Sequence, residues 1–187
     1  SSMFYGCNNL TQLDLSNFDT SQVTTMQAMF YYCQSLTTLD LSNWNTGEVT
    51  NMRNMFQNCF NLTSLDVSNF DTANVTDMGL MFYNCNNLTQ LDVSNFDTSK
   101  VTTMQNMFYN CNNLTQLDIS NFDTSKVTIM EGMFTNTSKL VNIGMLYCSP
   151  STINTISSNL SNPTTVWING NIIKSELTSY DNITYEI

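Results

Sequence analysis

Apolar side chains recur along this chain with a fixed beat. Met3, Met29, Met55, Met81, Met107 and Met133 stand 26 residues apart, and most positions between them keep the same period. Two patterns of different spacing follow one another within each period. Val23, Met26, Met29, Phe30 and Cys33 fall at i, i+3, i+6, i+7 and i+10, which predicts one face of a short helix, α or 3₁₀. Thr24 with Gln27 three residues on gives that helix a capping box, repeated by Thr128 and Glu131 and broken by Arg53 and Gly79. Leu36, Leu39 and Leu41, with polar residues between, then predict a short strand with alternating sides. Phe18, Trp44, Phe70, Phe96 and Phe122 close the period before an Asp-Thr-Ser type of turn.

A phrase of this length cannot bury its apolar face alone, so its copies are expected to stack into a solenoid. The columns that stay constant between copies are those expected inside: Cys7, Cys33, Cys59, Cys85 and Cys111, the leucines from Leu10 and Leu13 onward, and the valines from Val23. The fold class expected is α/β: a right-handed solenoid of short parallel strands and short α or 3₁₀ helices. Its strands should lie near 10–16, 36–42, 62–68, 88–94 and 114–120. Residues 1–145 would form it, as five full copies and a sixth in which Thr137 replaces Cys and Gly144 replaces Asp. Residues 146–187 are expected to be a C-terminal α/β capping unit. Ser149 and Pro150 read there as N-cap and N1 of a helix through about Leu160, Thr164 to Ile168 is β-rich, and Asn169-Gly170 signals a hairpin before Asn171, Ile172 and Ile173. Ser1 enters in mid-repeat with no comparable cap, so a piece of a longer protein is expected.

The strand phrase LTQLDLSNF has the L-x-x-L-x-L spacing of leucine-rich repeats. With the preceding MF-x-x-C and the C-x-x-L link, the chain from Met3 to about Met145 resembles the BspA-like leucine-rich repeats of bacterial surface proteins, in their 26-residue variant. One departure stands out: Phe18 occupies the usual Asn position, with Asn17 one residue early. The resemblance implies a leucine-rich-repeat solenoid and a secreted or cell-surface protein engaged in adhesion to host matrix or to other bacteria.

Charge narrows the range of functions. Net charge is −10 with only five Lys and Arg, too few for the basic stripe that nucleic acid or an anionic membrane surface needs. No run of about 18 apolar residues is present, so no membrane insertion is expected. The chain has no His, which removes Ser-His-Asp triads, Cys-His pairs and histidine metal sites, and no unique polar cluster stands out of the repeat. The protein is not expected to be an enzyme, and no cofactor or metal is expected. The stretch Asp14, Ser16, Asn17 and Asp19 offers oxygen donors, but it lacks the glycine turn and terminal Glu of a calcium loop. Five of the six cysteines form one column whose side chains run parallel, so buried free thiols are expected rather than disulfides. The methionines make two core columns.

The candidate binding face is the outward side of the strand phrase. It comprises Gln12, Asp14, Thr38, Asp40, Ser64, Asp66, Gln90, Asp92, Gln116 and Asp118, flanking inward leucines. Stacking puts the Asp residues about 5 Å apart, where mutual repulsion should raise their pKa values. Tyr5, Tyr31, Tyr83 and Tyr109, with Gln57 interrupting, should lie on the outer side, as cover for the helix or as contact anchors. Thr11 and its equivalents form one outward column without the T-x-T pair of an ice- or crystal-binding array. The function expected is a non-catalytic interaction module, extracellular or cell-surface, binding a protein or glycan partner on a host or neighbouring cell, and monomeric. The alternative is a structural stalk that spaces another domain.

Overall fold

A helix cannot contain left-handed residues, and every repeat of this chain has two of them. The computed structural model describes residues 2–145, 148–160, 162–168 and 177–187. In it the segment expected to be helical is a string of turns. Ala28 and Tyr32 have φ of 52° and 61°, and the same two columns are left-handed in the other copies, mostly as Asn or Gly. They occupy the third positions of turns 26–29 and 30–33, where a type II turn requires positive φ. Met29, Tyr31 and Cys33 donate their N–H groups within the turns, to the carbonyls of Met26, Ala28 and Phe30. The amides between them, those of Ala28, Phe30 and Tyr32, point along the stack and donate at 2.9 Å to Arg53, Met55 and Gln57 of the next copy. Side chains still point inward every three or four residues, which is why the apolar spacing imitates a helix.

The capping box fails for the same reason. Gln27 N–H bonds Thr25 Oγ1 instead, and Arg53 and Gly79 bond Asn51 and Asp77 in the equivalent place. Thr25, Asn51, Asp77, Thr103 and Ile129 pair in parallel from copy to copy.

Only part of the predicted strand series is hydrogen-bonded as strand. Gln116–Asp118 (β1) pairs with Asn142–Gly144 (β2), and the sheet continues through Thr164–Trp167 (β3) and Ile183–Glu186 (β4), every pair parallel. In the copies before β1 the alternation survives, with Leu39 buried between exposed Thr38 and Asp40, but the ladder does not. Thr63 N–H to Thr37 carbonyl, at 3.0 Å, is one of the few backbone links there. Tyr rings on the outer side of the turns stack at 4.7 and 4.8 Å, and the buried Phe column from Phe4 to Phe134 stacks at 5.3 to 5.7 Å.

Side chains take over where the ladder is missing. Asn69 Nδ2 donates to the carbonyls of Leu41, Ser42 and Trp44, and Asn95 repeats this on Val67, Ser68 and Phe70. The Asn ladder thus forms although its residue stands one place early. At the closing turn, buried Thr46 accepts from Asp71 N–H and donates to Asp71 carbonyl, 2.7 and 2.9 Å. Inside, Cys59, Cys85 and Cys111 are free and buried, and each donates its thiol to the Phe carbonyl of the preceding copy at 3.2 Å.

The chain's one described helix, Pro150–Ser157 (α1), is capped as expected by Ser149, whose hydroxyl accepts from Thr152 N–H, but it ends three residues before Leu160. Thr152 also meets Thr124 of the fifth copy at 3.0 Å. The expected hairpin turn lies outside the described residues. The strand before it pairs in parallel with β4, continuing the sheet of the repeats.

Ala28 is left-handed where other copies have Asn54, Asn106 or Gly132, residue types that tolerate positive φ better than Ala does. Relief of left-handed strain, about 1–2 kcal/mol, exceeds the entropic cost of glycine, about 0.4–1 kcal/mol. Ala28→Gly should therefore raise stability by about 0.5–1 kcal/mol, read by denaturant unfolding; a loss would show that the strain is absent. For the thiols, burial pushes Cys33 up to about 11 and Cys111 up to about 12. Labelling of the native chain should reach half-buried Cys7 first and the other five only on unfolding, as mapped by mass spectrometry.

Candidate binding face

Alternation in the strand phrase turns two polar residues per copy outward around one leucine. All ten predicted site residues, from Gln12 and Asp14 to Gln116 and Asp118, are exposed on one face. Eight of them, Thr38 to Asp118, line a groove of about 1290 Å³. Leu39, Leu65, Leu91 and Leu117 form its floor, 3 to 8% exposed. Gln12 and Asp14 lie beyond its end. At the other end the groove continues over Asn142, Ile143 and Gly144 to Trp167.

Those last residues escaped sequence reading. Trp167 pairs with Gly144, and Gly144 with Asp118, so Trp167 stands in the Asp column. Nearly half of its surface is exposed. Only the register of β2 and β3 reveals this, because the 26-residue count has lapsed there. At Gly144 a Cβ would come within 2.5 Å of Asp118 Oδ1 and 2.9 Å of Ser120 Oγ, so any side chain there would displace those two groups.

The carboxylates do not behave as a repelling row. Each Asp accepts the N–H of the Ser two residues on, from Asp14 with Ser16 to Asp118 with Ser120, at 2.9 to 3.0 Å. Hydrogen bonds from those serines hold Asp14, Asp40, Asp66 and Asp92 below the usual carboxylate value. Repulsion from Asp66 acts on Asp40 and Asp92, but as the smallest contribution. The expected rise in pKa is thus overturned for these four: hydrogen bonds from the serine hydroxyl and amide outweigh a like charge one copy away in water. Asp19, Asp97 and Asp123, in the closing turns, are lowered in the same way by Ser21, Ser99 and Ser125.

No Lys or Arg lines the groove, and among the described residues the one ion pair is Arg53 with Asp77, 3.5 Å, on the turn side. Also among the described residues, no three Asp, Glu or Cys side chains gather as metal ligands. Asp14 and Asp19 are each turned to their own serine. The tyrosines stand outside the turns as two stacked pairs, Tyr5 with Tyr31 and Tyr83 with Tyr109, separated by Gln57, which is 8% exposed.

Parallel pairing of equivalent positions and a mixed set of strands, turns and one short helix define an α/β repeat protein. The chain belongs to the family described as "Mycoplasma protein of unknown function, DUF285", whose model matches residues 1–65 and 60–165, a BspA-like repeat family. No curated protein and no solved structure gives a significant match. Among the described residues no helix is long and apolar enough to cross a membrane.

The Asp turns set the acid response. Folded pKa values below the unfolded value stabilise the fold above about pH 4, and that contribution is lost as pH falls through the folded values. Thermal stability should therefore decline on acidification below about pH 4. At neutral pH Asp66→Ala should destabilise, because it removes the acceptor of Ser68 N–H. Asp66→Asn should lose less, since an amide oxygen still accepts there, as Asn45 Oδ1 does from Gly47 N–H at 3.0 Å. Equal melting temperatures for the Ala and Asn variants would refute this role.

Proposed function

We propose that this chain is a non-catalytic interaction module of a secreted or cell-surface protein, of the BspA-like leucine-rich-repeat type. Its copies would form a right-handed solenoid over residues 1–145, capped by 146–187. A protein or glycan partner on a host or neighbouring cell would lie along the strand face. The observation that supports this best is the groove: one continuous channel crosses equivalent positions of successive copies, floored by leucine and bordered by exposed polar residues. A chain whose apolar residues served stacking alone would have no need of such a channel.

A stalk is the second reading, supported by how little the copies vary in the strand phrase, from LTQLDLSNF in the first to LTQLDISNF in the fifth. The two differ in what a blocked groove does. Gln90 is exposed and lines the channel midway, so Gln90→Trp fills it without touching the core. Purified chain and variant would be compared on matrix-protein and glycan arrays. Binding that is lost by about tenfold or more in the variant, with unchanged melting temperature, is the expected result. Absence of any binding, or binding indifferent to Gln90→Trp, favours the stalk.

A further inference from the structure

We infer that the groove takes an extended cationic peptide segment, with Arg or Lys at alternate positions and apolar residues between. This deepens the binding-face reading above and rests on it. The two lips of the groove differ in charge. One is the row Asp40, Asp66, Asp92 and Asp118, and the other is uncharged, with Thr38 and Gln116 in it. No cation lines the channel, and Arg53 is committed to Asp77 on the turn side. The acidic lip therefore has no countercharge of its own among the described residues. A partner that supplies one is the complementary partner.

Spacing favours an extended chain. Asp40 and Asp118 stand three steps apart along the stack, about 15 Å at the roughly 5 Å of stacked strands. In an extended strand, side chains on one side repeat every 6.6–6.8 Å, so three basic residues at alternate positions cover about 13–14 Å between Cα atoms. Long, flexible Arg or Lys side chains bridge the small mismatch. Apolar residues between them point the opposite way, over the uncharged lip. Trp167 stands at the end of the acidic row with an exposed ring, where a guanidinium can stack as a cation–π contact.

The test uses the full chain and a dye-labelled, end-capped nonapeptide of alternating Arg and Val. Control peptides carry Glu or Ser in place of Arg. The Arg peptide should bind by fluorescence anisotropy, weaken as salt rises, and change the emission of Trp167. Asp66→Asn with Asp92→Asn preserves both turns and should weaken binding by about three- to tenfold, at the scale of two exposed charge pairs. Gln90→Trp should abolish it. Glu or Ser peptides that bind as tightly as the Arg peptide, and are blocked by Gln90→Trp, would overturn the cationic ligand and leave the binding face standing. An Arg peptide that ignores Gln90→Trp would overturn both. Failure of the Arg peptide to bind, or binding unchanged in the double Asn variant, would overturn the proposal.

Discussion

Every other feature depends on backbone amides aimed from one copy to the next. A coil of 26 residues that neither forms a helix nor completes a strand ladder still has to satisfy its polar groups. This chain does so by alternating amides, one closing a turn in its own copy and the next reaching into the following copy. Two left-handed residues per repeat make the alternation geometrically possible. The period is therefore strict: a coil one residue longer would present carbonyls where the neighbour has none to meet.

Polar side chains finish the work at places the backbone cannot reach. Thr46 and its equivalents stitch the closing turn, Asn69 and its equivalents stitch the strand side, and cysteine thiols stitch the interior. Amide ladders add to this, as Asn84 donates to Asn58 at 2.6 Å and Asn110 to Asn84 at 2.7 Å. The low content of charged residues, 11%, fits such a design, since neutral Asn and Thr stack on copies of themselves without repulsion.

Much of this was legible in the sequence, but unevenly. Constancy between copies identified the Cys, Leu and Met columns as interior, and the outward residues of the strand phrase as one face. Helix and turn string were confused because both turn a side chain inward every third or fourth residue. The distinguishing signal was present: Asn58, Asn84, Asn110 and Asn136 share a column with Gly6, and these residue types tolerate positive φ. The pKa direction was missed because stacking geometry invites a count of like charges, while the serine two residues on, equally visible in the sequence, dominates. Trp167 could not be placed, since its column depends on pairing across a stretch where the count of residues no longer holds.

The interchangeability of the copies has a consequence for size. From Met29 to Met107 each copy meets its neighbours through the same turn amides, so removing one whole period leaves those amides a matching partner at every remaining interface. The channel would shorten by one step and the acidic lip by one carboxylate. Reach along a linear target is in this sense quantised: it is written in whole periods of the chain, and it can change without redesigning any contact.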